Sequence, residues 1–219
     1  MAIKCVMLDF GNVLVHFDTP EFYRFLNGHR RSSFSPEQLF TGQQNEVIVD
    51  YDLGKIGDET FYELMRELFD LEGVNRDIFF KVFGSVMHPD PKMLELKKLL
   101  KMNDLELVMV SNINKFHLSQ AFKKYPEYVE GFDYRSMSCE MEKRKPDPEM
   151  WVQPLDFLGR RSEECLFIDD FIVNVEAFRE LGGLGYYYNV TDDLFCPNGK
   201  LEMERGKLFS ACRSLGLIS

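Results

Sequence analysis

The chain has 219 residues, 45% of them hydrophobic and 28% charged, which fits one sizeable globular domain or a core carrying a smaller insert. A formal net charge of -10 argues against a nucleic-acid backbone as partner, because that needs a basic face, yet it leaves room for a locally basic pocket that takes a small anion. No apolar run approaches the roughly 18 residues of a membrane span, and the stretch Cys5 to Leu8 is too short for a signal peptide, so the cytoplasm is the expected compartment.

Ile3 to Asp9 is rich in apolar residues and runs into a glycine, the pattern of a buried strand followed by a turn. From about Pro20 to Met87 the patterning is helical, with almost no strand signal. Phe61, Leu64, Met65, Leu68 and Phe69 form the clearest stripe, with Asp58 as expected N-cap and Gly54 and Gly57 marking the turn before it. His88-Pro89-Asp90-Pro91 then reads as a stiff connector.

Beyond it strands and helices alternate. Met93 to Lys101 reads as a helix and Leu105 to Val110 as a strand ending at Ser111-Asn112. A helix follows, with Asp147 as N-cap and Pro148 at its first position, and Pro154 is expected to kink or shorten it. Cys165 to Ile168 is a buried strand ending at Asp169-Asp170. Val175, Phe178 and Leu181 line a helix that stops at Gly182-Gly183, and Leu184 to Val190 reads as a last strand. This alternation predicts an α/β fold, a doubly wound Rossmann-like parallel sheet with an inserted helical domain, whose site lies at the carboxyl ends of the strands.

The five cysteines, Cys5, Cys139, Cys165, Cys196 and Cys212, are odd in number and widely spaced, with no C-x-x-C pair, and read as small buried apolar residues. His16, His29, His88 and His117 show no metal-ligand spacing. Three strand ends carry polar residues instead: Asp9, Ser111-Asn112 and Asp169-Asp170, with Lys145-Pro146 in a loop between two units. Singly each is an ordinary turn former, but their order and spacing point to one functional constellation.

In that order, Asp9, Ser111, Lys145 and Asp169-Asp170 resemble the four motifs of the haloacid dehalogenase superfamily, and the helical insert is similar to its C1 cap. The resemblance implies a core of residues 1–15 and 90–219 and a cap of residues 16–89. Within the superfamily, DFGNVLVHFD at Asp9 to Asp18, SNIN at Ser111 to Asn114 and KYPEY at Lys124 to Tyr128 look like the bacterial α-D-glucose-1-phosphate phosphatases. It implies a Mg²⁺-dependent hydrolase in which Asp9 attacks a small phosphorylated metabolite.

The chemistry is coherent with those residue types. A carboxylate can accept a phosphoryl group and pass it to water, dividing one hard displacement into two easier ones. Mg²⁺ and Lys145 favour its charged form; the expected ligands are Asp9, the Gly11 carbonyl and Asp169, with Asp170 acting through water or orienting Lys145. The backbone N–H groups of Phe10, Gly11 and Asn12, the Ser111 hydroxyl, the Asn112 amide and Lys145 are the expected donors to the phosphoryl oxygens.

One departure from the family pattern matters. Gly11 stands where most phosphatases of the superfamily carry a second Asp, an acid/base group worth roughly 10²–10⁴-fold in rate. Its loss favours a weakly basic leaving oxygen, such as that of a sugar 1-phosphate. His16 or Asp18 either replaces the missing acid or forms the hinge into the cap. The competing readings are a 2-haloacid dehalogenase, which needs no metal, and a catalytically silent binder of phosphorylated ligands or a partner protein. The segment Asp50 to Gly57 either faces the site or is a plain helix connector, and Phe79, Phe80 and Phe83 are expected as cap core.

Overall fold

The computed structural model describes residues 2–30, 42–190 and 199–219. Among them are seven strands: β1 (Cys5–Leu8), β2 (Val15–Phe17), β3 (Met87–Pro89), β4 (Glu106–Ser111), β5 (Tyr134–Met137), β6 (Cys165–Asp169) and β7 (Leu184–Tyr187). Five of these form a parallel sheet in the order β5-β4-β1-β6-β7, while β2 and β3 pair antiparallel. From β1 the chain builds one side of the sheet, then crosses to build the other. The switch therefore lies at β1, and the crevice beyond the carboxyl ends of β1, β4 and β6 is where such a sheet binds ligands.

The pleat explains the long apolar runs. In β1, Cys5 and Met7 point into a cluster with Trp151, Phe167 and Phe178, whereas Val6 and Leu8 point the other way, into a cluster with Met93, Leu96 and Leu208. Both faces are covered, so alternation of polar and apolar residues is lost. One face is packed by α9 (Glu149–Leu158) and α10 (Ile172–Glu180), the other by α5 (Pro91–Met102) and α11 (Lys200–Ser214). A fully buried side chain of the size of Phe167 contributes on the order of 1.5–3 kcal/mol.

Between β2 and β3 lies a separate helical layer: α1 (Thr19–Gly28), α2 (Gly42–Asp52), α3 (Asp58–Leu68) and α4 (Arg76–Phe83). It has its own apolar cluster, including Phe22, Leu26, Tyr51, Phe61, Met65, Phe69, Phe79 and Phe80. The Phe61 stripe faces inward as expected, joined by Tyr62, with Leu64 and Leu68 half-buried at its margin.

Several boundaries differ from the sequence reading. β1 is shorter than Ile3 to Asp9, and the last strand stops at Tyr187 rather than Val190. Asp58 is the first residue of α3, not its cap; Gly57 caps it with backbone alone, and the Asp58 carboxylate accepts the Tyr51 hydroxyl at 2.8 Å. The cap of α9 is shifted likewise: Pro148 takes the cap position, while Asp147 still accepts the Glu149 N–H at 3.0 Å. Pro154 does not end α9. The Met150 carbonyl that loses its partner to the proline receives the Ser136 hydroxyl at 2.8 Å, and the helix runs on to Leu158. The connector is part strand, since Met87 to Pro89 pairs with β2, and Asp90 caps α5 through the Lys92 N–H.

The four described cysteines, Cys5, Cys139, Cys165 and Cys212, are buried and free, and Cys5 pairs across strands with Cys165. Cys196 lies outside the described residues. Among the described residues no helix is long and apolar enough to cross a membrane.

Candidate functional site

Strand register sets the site. Leu8 lies beside Met109 on one side and Ile168 on the other, so Asp9, Ser111 and Asp169 emerge at the same edge of the sheet. The Asp9 N–H bonds the Ile168 carbonyl at 3.0 Å, which keeps the residue in line with the strand while its side chain turns into the crevice.

Four charged side chains converge there. Lys145 Nζ lies 2.8 Å from Asp9 Oδ2 and 2.6 Å from Asp169 Oδ2. All three are buried, as is Asp170. One carboxylate oxygen from each of Asp9, Asp169 and Asp170 falls within 4.8 Å of the others. Burial pushes the Asp9 carboxyl above the ordinary carboxylate range and Asp169 and Asp170 add to the shift, with Lys145 pulling against it. Burial also works against the Lys145 charge, but Asp169 and Asp9 outweigh it and hold the ammonium above its usual value. Three carboxylates against one ammonium leave negative charge uncompensated in a dry place. Such a set of hard oxygen donors fits a small divalent cation.

The supports around this cluster are as specific as the cluster. Asp169 accepts Lys145, the Phe171 N–H at 2.7 Å, and the Asn174 amide at 3.1 and 3.2 Å to its two oxygens. Asn174 escaped the sequence reading. Its signal was a single amide inside the apolar stripe of α10, one turn beyond Asp169-Asp170, where an apolar residue would otherwise pack.

Asn112, expected to donate to the ligand, also braces the main chain of Lys145: one of its amide N–H groups donates to the Lys145 carbonyl at 3.2 Å, and its oxygen accepts the Lys145 N–H at 2.9 Å. Asp169 contacts Lys145 directly, and Asp170 Oδ2 accepts the Asn12 amide at 3.1 Å.

The loop after β1 also departs from expectation. Asn12 sits at φ 54°, in the left-handed region, and closes a tight turn by donating its N–H to the Val15 carbonyl at 2.7 Å. The Phe10 N–H is taken by Asp9 Oδ1 at 2.6 Å. Of the three amides expected to cradle an anion, the Gly11 N–H is the one with no bond within the loop among the described residues. Gly11 itself has room for a side chain. The nearest atoms to an added Cβ are those of the Phe17 ring, at 3.7 Å.

His16 and Asp18 are both engaged elsewhere. His16 Nε2 lies 2.9 Å from Asp90 Oδ2, a carboxylate that Arg205 also holds, and Asp18 caps α1 through the Glu21 N–H at 2.8 Å. Both serve the entry into the helical layer. A second grouping, the carboxylates of Asp18 and Glu21 with the His88 imidazole, is half-buried to exposed and includes that capping residue.

The Asp50 to Gly57 segment is no free connector. The Asp52 carbonyl accepts the Ser138 hydroxyl at 2.7 Å, and Asp52 Oδ1 accepts the Asn114 amide at 3.0 Å. Gly54, at φ +70°, presses on the main chain of α8 (Ser138–Met141), where a Cβ would meet the Cys139 carbonyl at 2.6 Å. Asn114 also meets His117 Nδ1 at 3.2 Å, and His117 Nε2 donates to the Phe83 carbonyl at 2.7 Å. Burial lifts Asp52 to about 6 and lowers His117 to about 4.

The model of the haloacid dehalogenase-like hydrolases matches residues 3–182. A flavin mononucleotide hydrolase of Arabidopsis thaliana is 29% identical over 72% of this chain, which spans 63% of that protein's length. A sesquiterpene phosphatase of Aspergillus oryzae is 27% identical, over 88% of this chain and 92% of its own. A haloacid dehalogenase-family enzyme of Bacteroides thetaiotaomicron, crystallised with magnesium and inorganic phosphate, shares the fold at a TM-score of 0.67 and 22% identity, over 89% of this chain and 98% of its own. With the family model spanning most of the chain, and the same order of strand-end residues in place, this protein belongs to the haloacid dehalogenase-like hydrolases.

Proposed function

We propose that the protein is a magnesium-dependent phosphatase, hydrolysing a small phosphorylated metabolite through a phosphoryl-aspartate at Asp9. The observation that carries this reading is the burial of Asp169 and Asp170 beside Asp9 and Lys145. A dehalogenase, displacing a halide without a metal, has no use for two further carboxylates beside its nucleophile. The names of the two curated relatives, a flavin mononucleotide hydrolase and a sesquiterpene phosphatase, agree with phosphate ester chemistry.

In this reading Asp9 attacks phosphorus, and Lys145 stabilises the phosphoryl oxygens while holding Asp9 and Asp169 in place. Ser111 and the Gly11 N–H supply further donors, and Asn112 positions Lys145 through its main chain. Asp9, Asp169 and the Gly11 carbonyl would hold Mg²⁺, which supplies charge stabilisation to an anion that otherwise meets three carboxylates. Asp170 fixes the loop through Asn12. Residues 16–89 act as a cap that shields the reaction from water. With glycine at position 11, departure of the leaving group is unaided by a neighbouring acid, so its oxygen must be weakly basic. The anomeric oxygen of a sugar 1-phosphate such as glucose 1-phosphate qualifies, and the likeness of residues 9–18 and 111–114 to glucose-1-phosphate phosphatases supports that class.

The test is phosphate release from acetyl phosphate and glucose 1-phosphate, with and without Mg²⁺, beside Asp9→Asn. Release should require Mg²⁺ and fall roughly 10³-fold or more in the variant. Equal release by both proteins removes Asp9 as nucleophile. Metal-independent halide release from a 2-haloacid makes the protein a dehalogenase, and ligand-raised melting without turnover makes it a binding protein.

A further inference from the structure

Three consecutive residues of the loop before α9, Lys143, Arg144 and Lys145, carry positive charge, and two of them are paired. Lys145 bonds Asp9 and Asp169, and Lys143 pairs with Asp147 at 3.3 Å and Glu149 at 3.6 Å. Arg144 stands between them half-buried, and its guanidinium makes no hydrogen bond or ion pair among the described residues. Arg160 and Arg205, buried to a similar degree, hold the carboxylates of Glu106 and Asp90. A guanidinium offers five N–H donors, and leaving them without acceptors where water is partly excluded is costly.

The neighbours of Arg144 fix its place. Asn112 braces the Lys145 main chain through both its N–H and its carbonyl. Arg144, its Cα about 3.8 Å from that of Lys145, rides on the same braced loop at the carboxyl end of β4. The Asp50 to Gly57 segment of the helical layer descends onto that edge. Asp52 takes the Asn114 amide on its carboxylate and the Ser138 hydroxyl on its carbonyl, and Asn114 caps α6 (Lys115–Lys124). Burial lifts the Asp52 carboxyl, while the Asn114 amide and the charge of Arg144 pull against it. Asp52 also stands in the wall of a cavity of about 120 Å³ in the helical layer, whose lining, with Phe17, Phe61 and Phe83, holds no lysine or arginine. Arg144 is thus the cation that acts across the seam between helical layer and sheet. Asp52 and Arg144 form no ion pair, so this attraction leaves the donors of Arg144 open.

Resting on the phosphatase reading, we propose that Arg144 is a specificity-determining residue that binds a second anionic group of the substrate, a carboxylate or a phosphoryl group, while Lys145 meets the phosphoryl group at Asp9. The planar fork of a guanidinium matches either anion with two parallel bonds, and such charge-assisted bonds are about twice as strong as neutral ones. Asp52 repels the incoming anion from a distance, and bonds formed at contact with Arg144 outweigh that repulsion. The hydroxyls of glucose 1-phosphate give Arg144 only neutral acceptors. A sugar 1-phosphate that bears a carboxylate or a second phosphate meets this demand, together with that of Gly11 for a weakly basic leaving oxygen.

Non-cleavable phosphonates test the second contact, with acetyl phosphate as the reporter substrate. Phosphonoacetate, 3-phosphonopropionate and 4-phosphonobutyrate cover a range of spans, and the matching diphosphonates separate a phosphoryl group from a carboxylate. At least one member of either series should inhibit at a concentration at least tenfold below that of the alkylphosphonate of equal length. Arg144→Gln, which keeps a polar head and loses the charge, should close that gap to less than threefold. In turnover, glucuronic acid 1-phosphate or glucose 1,6-bisphosphate should exceed glucose 1-phosphate in kcat/KM by at least tenfold, the difference lying in KM and vanishing in Arg144→Gln. Equal inhibition throughout, a gap that survives Arg144→Gln, or a preference for glucose 1-phosphate overturns the assignment of Arg144 while leaving the phosphatase intact. Failure to hydrolyse acetyl phosphate overturns both.

Discussion

The carboxyl ends of β1, β4 and β6 and the interior of the helical layer lie on either side of the Phe17 ring and follow opposite rules. On the sheet side, buried charge is concentrated: three carboxylates gather beside one ammonium, which bonds Asp9 and Asp169. On the helical side burial is achieved with rings, and its few polar groups bond one another. The sheet side is held by bonds that are costly to leave unmade, the helical side by packing that tolerates exchange of one apolar shape for another.

Four substitutions probe this contrast, beginning with the largest effect. Lys145→Met leaves Asp9 and Asp169 buried without their cation. It should abolish phosphate release and destabilise the fold by about 3 kcal/mol, seen as a melting temperature lower by roughly 6–12 °C. An unchanged melting temperature would mean that the ammonium does not hold the cluster together. Asn174→Ala removes one support of Asp169, and the Mg²⁺ concentration for half-maximal activity should rise about 10–100-fold with little change in stability.

Gly11→Asp has space beside Phe17 and supplies the absent acid. Hydrolysis of alkyl phosphates should rise by up to about 100-fold relative to acetyl phosphate; no gain would show that the leaving group is not what limits those esters. The smallest effect belongs to the cavity wall. Because burial lifts Asp52 to about 6, its ionisation works against the fold as pH rises from the ordinary carboxylate value of about 4 through 6. Asp52→Asn, which keeps the shape, should therefore gain stability relative to wild type at pH 7.5 but not at pH 4. Urea unfolding midpoints at the two values decide the sign.

Legibility in the sequence follows the same division. Asp9, Ser111 and Asp169-Asp170 stand out because a charged or polar residue that ends an apolar run has no packing reason to be there, and because strand ends in a parallel sheet all face one crevice. Lys145 was readable only through its spacing from those ends. What the residues around them do was not readable. The sequence pointed Asn112 at the ligand and Asp170 at the ion or Lys145, but not to the bonds by which Asn112 braces the main chain of Lys145 and Asp170 holds Asn12. Which of several polar neighbours a side chain chooses depends on angles fixed only in three dimensions. The helical layer is harder still. Its Phe61 stripe announced a helix, but whether Phe83 fills a core or lines a cavity depends on α1, α2 and α3 meeting around it, and local periodicity carries no information about a void.

Asn12 joins the two regions mechanically. Its side-chain amide is tied to Asp170 and its side-chain oxygen Oδ1 accepts the Phe17 N–H at 3.1 Å, so the backbone that carries the shared ring is anchored on a carboxylate of the charged cluster. For protein engineering this sets an order of work. Ile48, Met65 and Val86 belong to the packing of the helical layer and can be exchanged for other apolar shapes without touching that anchor. The turn from Asn12 to Phe17 is a shared part, and a library that randomises it disturbs the charged cluster and the ring packing at once.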